Sequence, residues 1–266
     1  MNPVPTVATL DVSGTPRVTF GRLVRVELRK MADTRAGRWL MISVAVLTAL
    51  ILVIQMWVVV AQSVDVSFAD FLLGMNTAMG ILLPVLGILS ITSEWSQRTA
   101  MVTFTLEPSR LRVMAAKLAG ILVLSVAAVV VGLLLAVLAN ALYGILSGHD
   151  PVWDSPGTLA LDYLVSWVLG MVQGFAYGAV FLNSAAAIVV FFVYSFVLPI
   201  PFAIAAQLMD WFDSLRPWID FNSAQSPLLD GSMAGRQWAH LAVSGLIWMV
   251  VPLVLGTWRI QRAEVK

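Results

Sequence analysis

The chain has 266 residues, of which 59% are hydrophobic and 12% charged, and its mean hydropathy is +0.89. Soluble domains carry about 25% charged residues, so this composition excludes an ordinary soluble protein and indicates a membrane protein. The net charge of +1 creates no global field for nucleic acid, and the absence of cysteine excludes disulfides, thiol catalysis and cysteine metal sites.

Residues 1–16 are polar, contain two early prolines and lack a basic residue before Arg17. They are expected to form a flexible tail and not a cleaved signal peptide. From 17 to 38 basic residues crowd the chain. At 100° per residue Phe20, Leu23, Val24, Leu28 and Met31 share one arc, with Glu27 intruding. Arg22, Arg25, Arg29 and Lys30 fall opposite. This pattern predicts an amphipathic helix at the membrane surface, an anchor on anionic lipid or a contact for a partner.

Six apolar stretches follow, at about 39–62, 71–91, 118–145, 158–182, 185–206 and 238–258. A helical span needs about 20 apolar residues, and each stretch meets that length. Trp39 and Trp57 stand about 27 Å apart at helical rise, the separation of two aromatic belts. Pro84 interrupts the second span, and Pro199 and Pro201 the fifth. The third stretch exceeds one crossing and is expected to tilt or protrude. Ser109–Lys117 is read as part of that third helix, and Asn183–Ser184 as a tight turn. Between the fifth and sixth spans, 207–237 alternates aromatic and charged residues. It predicts short interfacial or re-entrant helices, with Trp211, Phe212, Trp218 and Phe221 able to face lipid, which either simply pack over the helix ends or cap an exit path.

Orientation follows from Lys and Arg. Seven precede the first span, four lie between the second and third and three follow the last, against two (Arg216 and Arg236) on the other side. Both termini and the loop between spans two and three are therefore expected in the cytoplasm, with the protein in the cell membrane.

Candidate chemistry is sparse. His149 and His240 have no carboxylate partner in sequence and read as hydrogen-bonded interfacial residues. Asp162 is the one acid inside a predicted span. It is read as a boundary residue that reaches water or, alternatively, as the ion site of a secondary transporter. Gly170, Gly174 and Gly178 form a stripe suited to close helix packing within the subunit, or to a dimer seam. Met75, Asn76, Met79, Phe191, Phe192 and Tyr194 in the second and fifth spans could form an adaptable cavity, or simply pack the core. No metal site is read. No phosphate-cradling G-x-x-x-x-G-K-[ST] motif is present, so any ATPase must be another polypeptide.

The 91–117 segment, ITSEWSQRTAMVTFTLEPSRLRVMAAK, resembles the cytoplasmic loop after the second span of type-2 ABC exporter permeases. The shared features are Glu94, Arg98–Thr99, Pro108–Ser109–Arg110 and Lys117. VELRKMADTRAGRW ahead of the first span, the long last outer segment and the RIQRAEVK tail extend the resemblance across 17–266. The resemblance implies an all-α, type-2 ABC exporter-like fold with six transmembrane helices and an N-terminal interfacial helix. It implies a second permease chain as partner, and a separate cytoplasmic ABC ATPase subunit that carries ATP and Mg. A coupling helix would span Glu94–Phe104, with Glu94, Trp95, Gln97, Arg98, Thr99, Phe104 and Arg110 at the ATPase. Spans one, two and five would line a central cavity, and 207–237, with Trp211, Phe212 and Trp218, would form an outer gate. The cargo would be hydrophobic or amphipathic: a drug, antibiotic, peptide or lipid. Removing Glu94 or Arg98 is expected to leave the fold intact and to uncouple hydrolysis from export. The rival readings are a non-transporting membrane anchor or assembly factor, and an ion-coupled transporter using Asp162.

Overall fold

The computed structural model describes residues 18–153 and 156–264; the expected tail at 1–16, Arg17, Asp154 and Lys266 lie outside the described residues. Among the described residues the elements are all helical, apart from one isolated bridge between Ser67 and Val152. In chain order they are α1 (Phe20–Asp33), α2 (Arg35–Gln62), α3 (Phe68–Ser96), α4 (Ala100–Leu106), α5 (Arg110–Ser147) and α6 (Pro156–Phe181). Then come α7 (Ser184–Phe192), α8 (Pro199–Leu208), α9 (Asp210–Ile219), α10 (Phe221–Leu229), α11 (Gly235–Gly245) and α12 (Val251–Arg262). Among the described residues six helical stretches are long and apolar enough to cross a membrane: α2, α3, α5, Gly157–Phe181, Ser184–Leu208 and Gly235–Arg262. The architecture is that of a multi-pass helical membrane protein.

Charge-free windows locate these spans, but capping chemistry ends them. The Thr34 Oγ1 accepts from Gly37 N at 3.2 Å, so α1 stops at Asp33 and α2 begins at Arg35, ahead of the apolar run at Trp39. At the far end of the bundle Asp70 Oδ2 accepts from Ser67 N at 2.9 Å and Ser67 Oγ at 3.1 Å, which starts α3. The expected third helix runs 38 residues, about 57 Å at helical rise, and ends on Gly148 at φ 73°. Asn183 Oδ1 receives Ala186 N at 3.0 Å and opens α7 after the tight turn.

The fifth and sixth spans share a device. Val193–Val197 and Leu246–Val250 are single π-helical turns, each just ahead of a proline at 199 or 252. Proline brings no N–H to the carbonyl four residues before it. Ahead of the proline the pairing widens by one residue, as where Leu198 N donates to Val193 O at 2.9 Å.

Helix α3 is the centre of the bundle, packing most extensively on α6 and also on α2 and α5. Lipid offers helices no net hydrophobic drive to associate, so close backbone approach and dispersion must hold this seam. The glycine stripe supplies it within the chain. A Cβ on Gly174 would lie 2.0 Å from Pro84 O, and one on Gly178 2.6 Å from Ile91 Cγ2. From the α3 side, a Cβ on Gly87 would lie 2.2 Å from Met171 O.

Candidate functional site

One end of the bundle gathers α1, the α3–α4–α5 connection and the end of α12. At its centre four charges meet. Lys30 Nζ lies 2.8 Å from Glu27 Oε1 and 2.7 Å from Glu94 Oε1. Lys117 Nζ lies 2.6 Å from Glu27 Oε2 and 3.1 Å from Glu94 Oε1, and also donates to Ser90 O at 3.2 Å. The side chains of Glu27, Glu94 and Lys117 are only 6%, 7% and 4% exposed. Two carboxylates and two ammoniums cancel, the condition under which burial of charge is tolerable. Burial alone would lower the Lys30 pKa, but hydrogen bonds and attraction from Glu27 and Glu94 outweigh it and hold the group above its ordinary 10.5. A raised folded value means that Lys30 stabilises fully below the ordinary lysine pKa. That contribution is lost only as pH rises through the folded value.

The cluster corrects two expectations. Glu27 does not intrude on the buried face of α1; it is the centre of that face, beside Met31. Lys30 turns in to meet it, leaving Arg22, Arg25 and Arg29 as the exposed basic face. Glu94 belongs to the last turns of α3 and is buried, so it presents no surface to a partner. An acid on the apolar arc of a basic helix was the available signal; it demanded a buried cation, which Lys117 supplies.

Two further loop cations, Arg112 and Arg110, are also engaged within the chain. Arg112 Nη1 lies 2.8 Å from Glu107 Oε2, and Arg112 Nη2 donates to Val18 O, two residues ahead of α1. Arg110 Nη1 donates to the carbonyls of Ile260 at 2.6 Å, Gln261 at 3.2 Å and Ala263 at 2.8 Å, while its guanidinium lies 5.1 Å from the Phe104 ring centroid. Arg110 thus caps α12, where a cation favours the negative helix end. Replacing Arg110 by Met is expected to cost about 1 kcal/mol and to accelerate amide exchange over 260–263. Unchanged exchange there would remove the capping role.

Helix α4 hangs from this platform. Thr103 Oγ1 donates to Glu94 Oε1 at 3.1 Å, Thr99 N to Glu94 O at 2.9 Å, and Phe104 packs 6.3 Å from Trp95. Trp95 and Phe104 are therefore half-buried links between α3 and α4. Gln97, Arg98 and Thr99 are exposed in the turn, with Arg98 in the left-handed region at φ 57°. The outward face of α4 is apolar, with Met101 50%, Val102 60% and Leu106 78% exposed.

A second feature lies at mid-span. A cavity of about 280 Å³ opens between α3, α6, the π turn of the fifth span and α10. Asn76, Ser166, Gln173, Ser195, Asn222 and Gln225 give it a polar lining. Among the expected cavity residues Asn76, Met79 and Phe191 line it. Met75, Phe192 and Tyr194 do not. Met75 is fully buried one position, or 100°, away from Asn76. Tyr194 packs 5.9 Å from Tyr177 and 4.7 Å from Trp248, and Phe192 lies 5.8 Å from Phe191 and 5.9 Å from Phe196. Phe191 and Ser195, four apart, share the cavity face. Span one contributes no lining residue.

At the opposite end α9 carries the expected gate residues. Trp211 is exposed, Phe212 packs 5.7 Å from Phe202, and Trp218 stands 4.5 Å from His240 under the Arg236 guanidinium. None of the three lines the cavity; α10 does so instead, through Asn222, Gln225 and Leu229. Phe221 does not face lipid but is fully buried under Gly245. His240 differs from its expectation too: its Nε2 is buried without a hydrogen-bond partner, and the ring is held by the aromatic contact. Asp162 is half-buried near the start of α6. Among the described residues no three His, Asp or Glu side chains lie close enough to hold a metal ion. No protein-family model and no curated protein matches the chain.

Proposed function

We propose that this chain is the membrane-spanning permease subunit of an ATP-driven ABC exporter, pairing with a second permease chain and docking on a separate cytoplasmic ATPase. The observation that carries the reading is α4. It is a separate short helix between the second and third spans, with an apolar outward face formed by Met101, Val102 and Leu106. It lies at the end of the bundle where Lys and Arg concentrate, the side expected to face the cytoplasm. Exposed apolar residues at a polar end of a membrane protein suit a protein partner.

The connections of α4 suit transmission of force. Thr99 and Thr103 bind it to Glu94, and Glu94 joins α3 to α1 and α5 through Lys30 and Lys117. A push on α4 is therefore delivered to three helices, one of which, α3, lines the mid-span cavity. Work is done only if the ATPase binds the inward- and outward-open forms with different free energy.

Substituting Met101 and Leu106 by Asp is expected to abolish co-purification of the ATPase, while thermal stability of the isolated chain stays within about 0.5 kcal/mol, since neither side chain is buried. Retention of a stoichiometric ATPase by the double variant would defeat the docking assignment.

A further inference from the structure

We infer that the mid-span cavity holds the uncharged, hydrogen-bonding head group of an amphipathic molecule, with the apolar tail leaving between α3 and the π turn of the fifth span. This names the cargo class of the permease reading and rests on that reading only for transport; binding belongs to this chain alone.

The lining sets the head-group chemistry. Each amide spends one bond on the fold. Trp167 Nε1 donates to Asn76 Oδ1 at 2.8 Å, Asn222 Nδ2 to Tyr194 O at 3.4 Å, Gln225 Nε2 to Phe221 O at 3.2 Å and Gln173 Nε2 to Tyr177 Oη at 3.4 Å. An amide has two donors and an acceptor carbonyl, so each retains capacity for a ligand. Pro84 and Pro199 also bring no N–H to the carbonyls of Gly80 and Ser195, two residues of the cavity lining. A wholly apolar ligand would leave that spare hydrogen-bonding capacity unmet. Among the described residues no Asp, Glu, Lys or Arg lines the site. A charged head would therefore be desolvated without a counter-charge.

Size and position supply the tail. A volume of about 280 Å³ corresponds to about nine waters, which suits a glycerol or single sugar ring and not a whole lipid. Thr77 and Phe196 are exposed beside the cavity, so it opens on the flank of the bundle. Asn76 and Pro84 lie about 12 and 24 Å along α3 from its start at Phe68, which places the mouth at hydrocarbon depth. A molecule arriving there from lipid carries its polar head behind an apolar chain.

The test uses the full chain in phosphatidylcholine nanodiscs with a monoacylglycerol bearing a diazirine close to its head. Labelling is expected on peptides containing Thr77–Ile81 and Ser195–Phe196. Unlabelled monooleoylglycerol should compete at least tenfold better than oleate or oleylammonium, and Asn222→Leu or Gln225→Leu should cut labelling at least fivefold. Equal competition by the charged analogues in the unsubstituted protein would overturn the inference, as would label spread evenly over α2 and α5. Labelling that persists when no ATPase associates would separate this site from the permease reading.

Discussion

Replacing Glu94 by Gln is expected to destabilise the chain by about 3 kcal/mol, because it leaves Lys117 buried against a single carboxylate. The side chain of Lys117 is 4% exposed and that of Glu94 7%, so water cannot make good the loss. Lys30, with 37% of its side chain exposed, can turn outward and contributes less. The double variant Glu94→Gln, Lys117→Met retains the 2.8 Å Glu27–Lys30 pair and restores neutrality, so at least half of the lost stability should return. Thermal unfolding in one detergent checks both values. Additive losses in the double variant would show that the four groups do not act as one unit. This differs from a solvated coupling residue, whose removal would spare the fold.

Replacing Gly174 by Leu is expected to prevent assembly of the bundle. A single Cβ there would lie 2.0 Å from Pro84 O and 2.8 Å from Pro84 C, both backbone atoms that no rotamer change can move. Forcing apart the α3–α6 seam gives up contacts along the most extensive helix pair, a cost above the roughly 1–3 kcal/mol of ordinary overpacking. Gly157 is the control: a Cβ there meets nothing within 4 Å, and Gly157→Ala should match the parent. Fluorescence-detected size exclusion separates the two. A monodisperse peak for Gly174→Leu at parental yield would show that the seam is looser than the geometry requires.

Much of this architecture was legible because hydropathy in a bilayer is a strong constraint. Uncharged runs gave the six spans, and the spacing of Gly170, Gly174 and Gly178 gave a close helix contact. Partner assignment was less legible. Gly174 meets Pro84 and Gly178 meets Ile88 and Ile91, which no one-dimensional pattern specifies. The charged residues show the limit most clearly. Glu94, Arg110 and Lys117 sit in one polar-looking stretch, yet one is buried against Lys30, one caps α12 and one binds Glu27. Their roles depend on elements 64, 150 and 90 positions away. A cavity was legible at Asn76, Met79 and Phe191, but its polar lining was not, because its amides come from three separate helices, α3, α6 and α10, each contributing one or two. Asn76 and Gln173 were visible as polar groups inside spans; Asn222 and Gln225 lie in a segment that reads as interfacial.

The central claim is that α4 is where a nucleotide-hydrolysing subunit grips this membrane chain. Photocrosslinking amino acids placed at Val102 and Leu106 in native membranes test it most directly. The account predicts crosslinks from both positions to an ATP-hydrolysing protein, lost when the same residue is placed at Leu146 at the opposite end of the bundle. Labelling of position 106 by a membrane-impermeant reagent applied from outside intact cells, or crosslinks to lipid alone, would contradict it.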